Sequence, residues 1–129
     1  MIVWLTLAAV LAIHDEQIAE HGGEEGVLDF NKLEAALMRP QNLLAYGKPE
    51  PDLAALAACY AYGIVKHGLV DGNKRTSLVA TRTFLRLNGA DLRATDAEKV
   101  QIWTDLGASQ IEEDALAEWL RQRLEKASS

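Results

Sequence analysis

The stretch from Leu53 to Lys66 constrains the fold most. It places Leu53, Leu56, Ala57, Tyr60 and Ile64 on one helical stripe and fills most other faces with alanine. A helix with small residues nearly all round belongs in close contact with several neighbours. Asp52 stands where it can cap that helix.

The rest of the chain supplies the neighbours. Thr6 is a predicted N-cap for a first helix over 7–21, with Leu7, Val10, Leu11 and Ile18 at helical spacing and Gly22-Gly23 as its stop. A short second helix is predicted over 31–38, with Leu33 and Leu37 on one face and Pro40 beyond its end. Residues 39–51 hold Pro40, Gly47, Pro49 and Pro51 and read as a loop. After a glycine-containing loop at 67–72, a fourth helix is predicted over 73–88, ended by Gly89. Thr95 with Glu98, and Ser109 with Glu112, read as capping boxes opening two more helices. Gly107 is expected to close the first of these, and Leu116, Trp119, Leu120 and Leu124 to form the seam of the second. No sustained period-2 alternation appears; Ile2 to Leu5 resembles an edge strand but has no clear partner. The expected fold is all-α, a compact bundle of about six helices in a single domain over 1–129.

Charge and cysteine content narrow the function. Lys and Arg number 13 against 19 Asp and Glu, a net charge of −6. That balance disfavours direct nucleic-acid binding, which needs a basic face. The one cysteine, Cys59, excludes an intrachain disulfide and a multi-Cys zinc site. Set among alanines, it reads as a small buried hydrophobe. The apolar start, Met1 to Ile13, lacks a basic leader and falls short of the roughly 20 residues that span a bilayer. It is read as core, and a cytoplasmic protein with no membrane partner is expected.

The chemistry concentrates in His67-Gly68-Leu69-Val70-Asp71-Gly72-Asn73-Lys74-Arg75-Thr76. This segment ends at a helix N-terminus, where unpaired amides and a partial positive charge attract anions. Gly72 and Asn73 can fold those amides into a nest, and Lys74 and Arg75 add positive charge. Asp71 is a hard oxygen ligand suited to Mg²⁺. His67 can take the proton from an attacking hydroxyl. Asp-Gly-Asn is equally ordinary turn chemistry, so the set rather than any one member carries the functional reading. Elsewhere, His14-Asp15 reads first as a helix-surface pair near a helix end, with a place near the active site as the alternative. Arg75, Arg82 and Arg86 fall on one stripe whose outer part could extend the positive field but reads first as solvated. His21 reads as a helix C-terminal cation, and Trp4, Trp103 and Trp119 as core or interface area.

The same residues resemble the Fic/Doc family motif, His-x-Phe-x-Asp/Glu-Gly-Asn-x-Arg, with His67, Asp71, Gly72, Asn73 and Arg75 matching in type and spacing. Lys74 and Thr76 match its Doc (death-on-curing) branch. Ala12-Ile13-His14-Asp15, Arg39-Pro40-Gln41-Asn42, Ala45-Tyr46-Gly47 and Phe84-Leu85-Arg86-Leu87-Asn88-Gly89 extend the resemblance over nearly the whole chain. Gly68 and Leu69 depart from the motif. Gly68 is expected to loosen the loop that aims His67, while Leu69 can still fill an apolar socket. The second arginine of AMP-transferring members is Leu78 here.

The resemblance implies a toxin kinase that moves the γ-phosphoryl group of ATP to a Ser/Thr hydroxyl of a protein, elongation factor Tu by analogy, and arrests translation. It makes His67 the base, Asp71 the Mg²⁺ ligand, and Gly72, Asn73, Lys74 and Arg75 the phosphate holders. It also implies a Phd-like antitoxin. The Ser/Thr-x-x-x-Glu-Gly/Asn string of self-inhibited members is absent, since Ser109 and Glu113 are followed by Asp114. Two alternatives stay open: AMP transfer to a protein hydroxyl, and a Fic-like domain that holds a nucleotide without turnover.

Overall fold

The computed structural model describes residues 1–24, 26–69 and 73–128. Among these the order is α1 (Leu7–His21), α2 (Phe30–Tyr46), α3 (Leu53–Lys66), α4 (Asn73–Leu87), β1 (Ala90–Leu92), α5 (Asp96–Gly107), α6 (Glu113–Arg121) and β2 (Leu124–Lys126). The all-α class and the helix count agree with the sequence reading.

The alanine-rich helix is the axis of the bundle. Asp52 accepts from Ala55 N at 2.9 Å to start α3, and residues Leu56 to Ala61 are all buried. α2, α4 and α6 pack around it. The small side chains allow close approach: a Cβ added at Gly63 would lie 3.0 Å from Ala36 Cβ on α2. Phe84 of α4 meets Tyr60 of α3 with ring centroids 4.7 Å apart. Each large apolar side chain fully buried in this core contributes about 1.5–3 kcal/mol.

Three expectations are corrected. α2 does not stop before Pro40 but runs through it to Tyr46. Proline removes one helical hydrogen bond at a cost of about 3 kcal/mol. Burial of Pro40 and the packing of Leu43 and Leu44 on the core offset that loss. Gly107 closes α5 as expected, and the left-handed turn beyond it falls on Ser109, at φ 60°. Ser109 therefore does not cap α6; its hydroxyl accepts from Lys66 Nζ at 2.6 Å, and Glu112 is the N-cap, without a side-chain bond. α6 ends at Arg121, so Leu124 leaves the predicted seam and joins a two-stranded antiparallel sheet opposite Leu92. The Thr95–Glu98 box, by contrast, makes both of its bonds.

Ile2 to Leu5 finds its partner in a side chain. Asn88 Oδ1 accepts from Val3 N at 2.8 Å, and Asn88 Nδ2 donates to Val3 O at 2.9 Å. Leu5 N donates to the Tyr60 hydroxyl at 3.1 Å. Among the described residues, no helix is long and apolar enough to cross a membrane.

Candidate active site

α3 delivers His67. Its amide closes the helix on Gly63 O at 3.0 Å, and its extended backbone then turns the chain out, leaving the side chain exposed. The two residues behind it, Gly68 and Leu69, are held in place, contrary to the expectation for Gly68. Gly68 sits at φ +94°, and a Cβ there would fall 2.6 Å from Leu33 Cβ. Its carbonyl accepts from Leu28 N at 2.6 Å and Asp29 N at 3.3 Å. Leu69 is 4% exposed and forms an antiparallel bridge with Val27. Glycine here allows a tight crossing over α2, and Leu69 fills the apolar socket.

Asp71 and Gly72 lie outside the described residues. Asn73 opens α4 and donates from Nδ2 to Leu69 O at 3.4 Å. Its Oδ1 is buried without a hydrogen-bond partner among the described residues. Arg75 reaches back to α1, donating to Gly22 O at 2.9 Å, while its Nε is likewise buried and unpartnered. Lys74 is exposed, and a Cβ at Gly107 would lie 3.0 Å from its Cδ. A cleft of about 440 Å³ runs between this helix end and the end of α5, lined by Val65, Asn73, Lys74, Arg75, Thr104 and Gly107. The first turn of α4 carries no acidic residue. The arrangement offers an anion a helix N-terminus, two cations and a side-chain amide, with an imidazole beside the loop.

Among the described residues, no three His, Cys, Asp or Glu side chains gather to hold a metal. A magnesium ion needs little more than one carboxylate and phosphate oxygens. Asn73 Oδ1, buried and without a partner among the described residues, is a hard donor of the fitting kind.

The turn after the motif is fixed from several sides. Ser77 Oγ donates to Ala61 O at 2.8 Å and accepts from Trp103 Nε1 at 2.9 Å. Thr76 Oγ1 lies 3.1 Å from His14 Nδ1. His14 thus corrects the sequence reading: it is 1% exposed, not a surface residue. The signal was present, since Val10, His14, Gln17 and Ile18 share one helical face, and all are buried. Arg82 and Arg86 do not extend the positive field; both pair with Asp91. Hydrogen bonding to Arg82 holds that carboxyl below its usual range. Cys59 is buried as expected, and desolvation pushes its thiol up to about 11, far from a nucleophile's range.

Residues 4–85 match the Fic/DOC family. The chain is 43% identical over 74 residues to Toxin Doc of Mycolicibacterium smegmatis, a match spanning 57% of each protein. It is 31% identical over 114 residues to Protein kinase doc of Escherichia phage P1, covering 88% of this chain and 89% of that protein. Since the family match takes in all of α1 to α3 and nearly all of α4, with the His67 loop inside it, this chain belongs to the Fic/DOC family.

Proposed function

We propose that this protein is a Doc-type toxin that transfers the γ-phosphoryl group of ATP to a Ser/Thr hydroxyl of a protein. Elongation factor Tu is the target the family resemblance implies, with arrest of translation as the result. The observation that carries the reading is the ligand-ready end of α4. Asn73 Oδ1 and Arg75 Nε are buried without partners among the described residues, beside an exposed His67 followed by Gly68 and Leu69, which are held in place. A relative over 88% of the chain is named a protein kinase.

In this reading the α4 amides, Lys74 and Arg75 bind the phosphates, and Gly72 lets the backbone approach them. Lys74 sets a localised charge and a four-carbon stem in the nest, which favours the terminal phosphate there. Asp71 would hold Mg²⁺, which when bound neutralises charge on the phosphate oxygens. His67 accepts the proton of the target hydroxyl as its oxygen bonds to the γ-phosphorus and the bond to the β-phosphate oxygen breaks. ADP leaves, and the proton passes from the imidazolium to solvent.

Residues 1–129 act as one cytoplasmic domain, and inhibition comes from a Phd-like antitoxin in trans. Glu113, the one glutamate at the spacing of an inhibitory motif, is engaged by Arg39 of α2. Expression of the chain in bacteria should arrest growth, and His67→Ala or co-expression of a neighbouring small antitoxin should restore it. Normal growth with abundant, folded, unmutated protein would contradict the toxin reading.

A further inference from the structure

His14 has no part in the chemistry above, yet it is among the most enclosed side chains of α1. Its Nδ1 contacts Thr76 Oγ1 at 3.1 Å, and its Nε2 is buried with no hydrogen-bond partner among the described residues. A leucine would pack on this face without leaving a buried polar atom unpaired, so packing alone does not account for an imidazole. Thr76 is itself fully buried and stands in the first turn of α4, directly after Asn73, Lys74 and Arg75.

The contacts around that turn come from opposite sides. Ser77 is tied to α3 and α5 through Ala61 O and Trp103. Thr76 is tied to α1 through His14, and Arg75 to the end of α1 through Gly22 O. Successive residues of a helix point about 100° apart, so holding Thr76 and Ser77 fixes the rotation of the turn about its axis. That rotation decides where the side chains of residues 73–75 project.

We infer that His14 is a positioning residue: through Thr76 it sets the rotation of the α4 end that receives phosphate. The identity of that phosphate as ATP rests on the proposed function; the positioning does not.

The test separates the two. His14→Leu removes the contact and keeps the volume. His14→Asn places an amide where Nδ1 was, and His14→Gln places one where Nε2 was. In the full chain, His14→Leu and His14→Gln should raise KM for ATP about tenfold with kcat within about twofold, and His14→Asn should recover most of the loss. Thr76→Val should match His14→Leu, and the double variant should be no worse than either single one. Amide exchange at Ser77 and Leu78, whose N–H groups close the first turn of α4, should speed up about tenfold in His14→Leu while Phe84 and Leu85 stay protected. That exchange reading needs no turnover, so it decides the positioning role even if the wild-type chain fails to use ATP. If His14→Leu does not fold, His14→Gln and Thr76→Val give the same readings. Wild-type KM and wild-type exchange in these variants, or equal behaviour of His14→Asn and His14→Gln, would overturn the inference.

Discussion

The two ends of α4 are built differently. At the C-terminal end, polar groups meet one another: Asn88 brackets Val3 N and O and also donates to Phe84 O, while Asp91 takes Arg82, Arg86 and Leu92 N. At the N-terminal end Ser77, Thr76 and Arg75 find partners, but other polar atoms do not. Four buried side-chain polar atoms lack partners among the described residues, and His14 Nε2, Asn73 Oδ1 and Arg75 Nε belong to this end. Each unmet buried group costs about 1–3 kcal/mol. One end of the helix uses its polar groups to hold the fold; the other leaves some unmet at a cost in stability, which under the proposed function is the cost of a phosphate site.

The contrast can be broken from either end. The largest effect is expected from His67→Ala, which should lower the transfer rate about 10²–10⁴-fold. Because His67 is exposed, the melting temperature should hardly move; full transfer activity in a rate assay would remove it from the mechanism. Gly68→Ala should damage both fold and activity. The positive φ and the Leu33 contact predict a loss of about 1–3 kcal/mol in urea denaturation, with a fall in transfer as the His67 loop shifts. An alanine that left both unchanged would show that Gly68 is not held as described.

Asp91→Ala should act on stability alone, by about 1–2 kcal/mol, and leave KM for ATP unaltered. Its acid dependence has a definite sign. Arg82, with Arg86, keeps the carboxyl below its ordinary value of 3.8 in the folded protein. The stabilisation is therefore complete above that ordinary value and is lost as pH falls through the lowered one. Asp52, held at about 2 chiefly by its hydrogen bond to Arg121, behaves alike, but its exposed pair adds less. Stability measured from pH 5 to pH 2 should fall less steeply in Asp91→Asn than in the wild type.

The smallest effect belongs to Gly107→Ala. The new Cβ would meet Lys74 Cδ at 3.0 Å, so the flexible stem moves aside. KM for ATP should rise about two- to threefold, roughly 0.5 kcal/mol, with stability unchanged.

What was legible in the sequence follows from the same physics. The bounds of α3 could be read because Asp52 and the alanine pattern are local signals that burial reinforces. α2 could not, because the local rule at Pro40 lost to the packing of Leu43 and Leu44, which depends on neighbours distant in sequence. Leu124 kept helical spacing with α6 but was claimed by β1, again a long-range pairing. Likewise, the contiguous motif from His67 to Arg75 was visible as one string. Its supports were not: Leu33 under Gly68, Gly22 O on Arg75, and His14 on Thr76 come from α2 or the α1 region.

The most direct test of the α4 end as a site for the terminal phosphate uses ATP labelled at either the α- or the γ-phosphate. The purified chain is incubated with Mg²⁺ and a bacterial lysate, and label on protein is counted, with His67→Ala as the control. Label carried to protein from γ-labelled ATP alone, and lost in His67→Ala, is the predicted result. Label arriving from α-labelled ATP would contradict it and make the protein an AMP transferase.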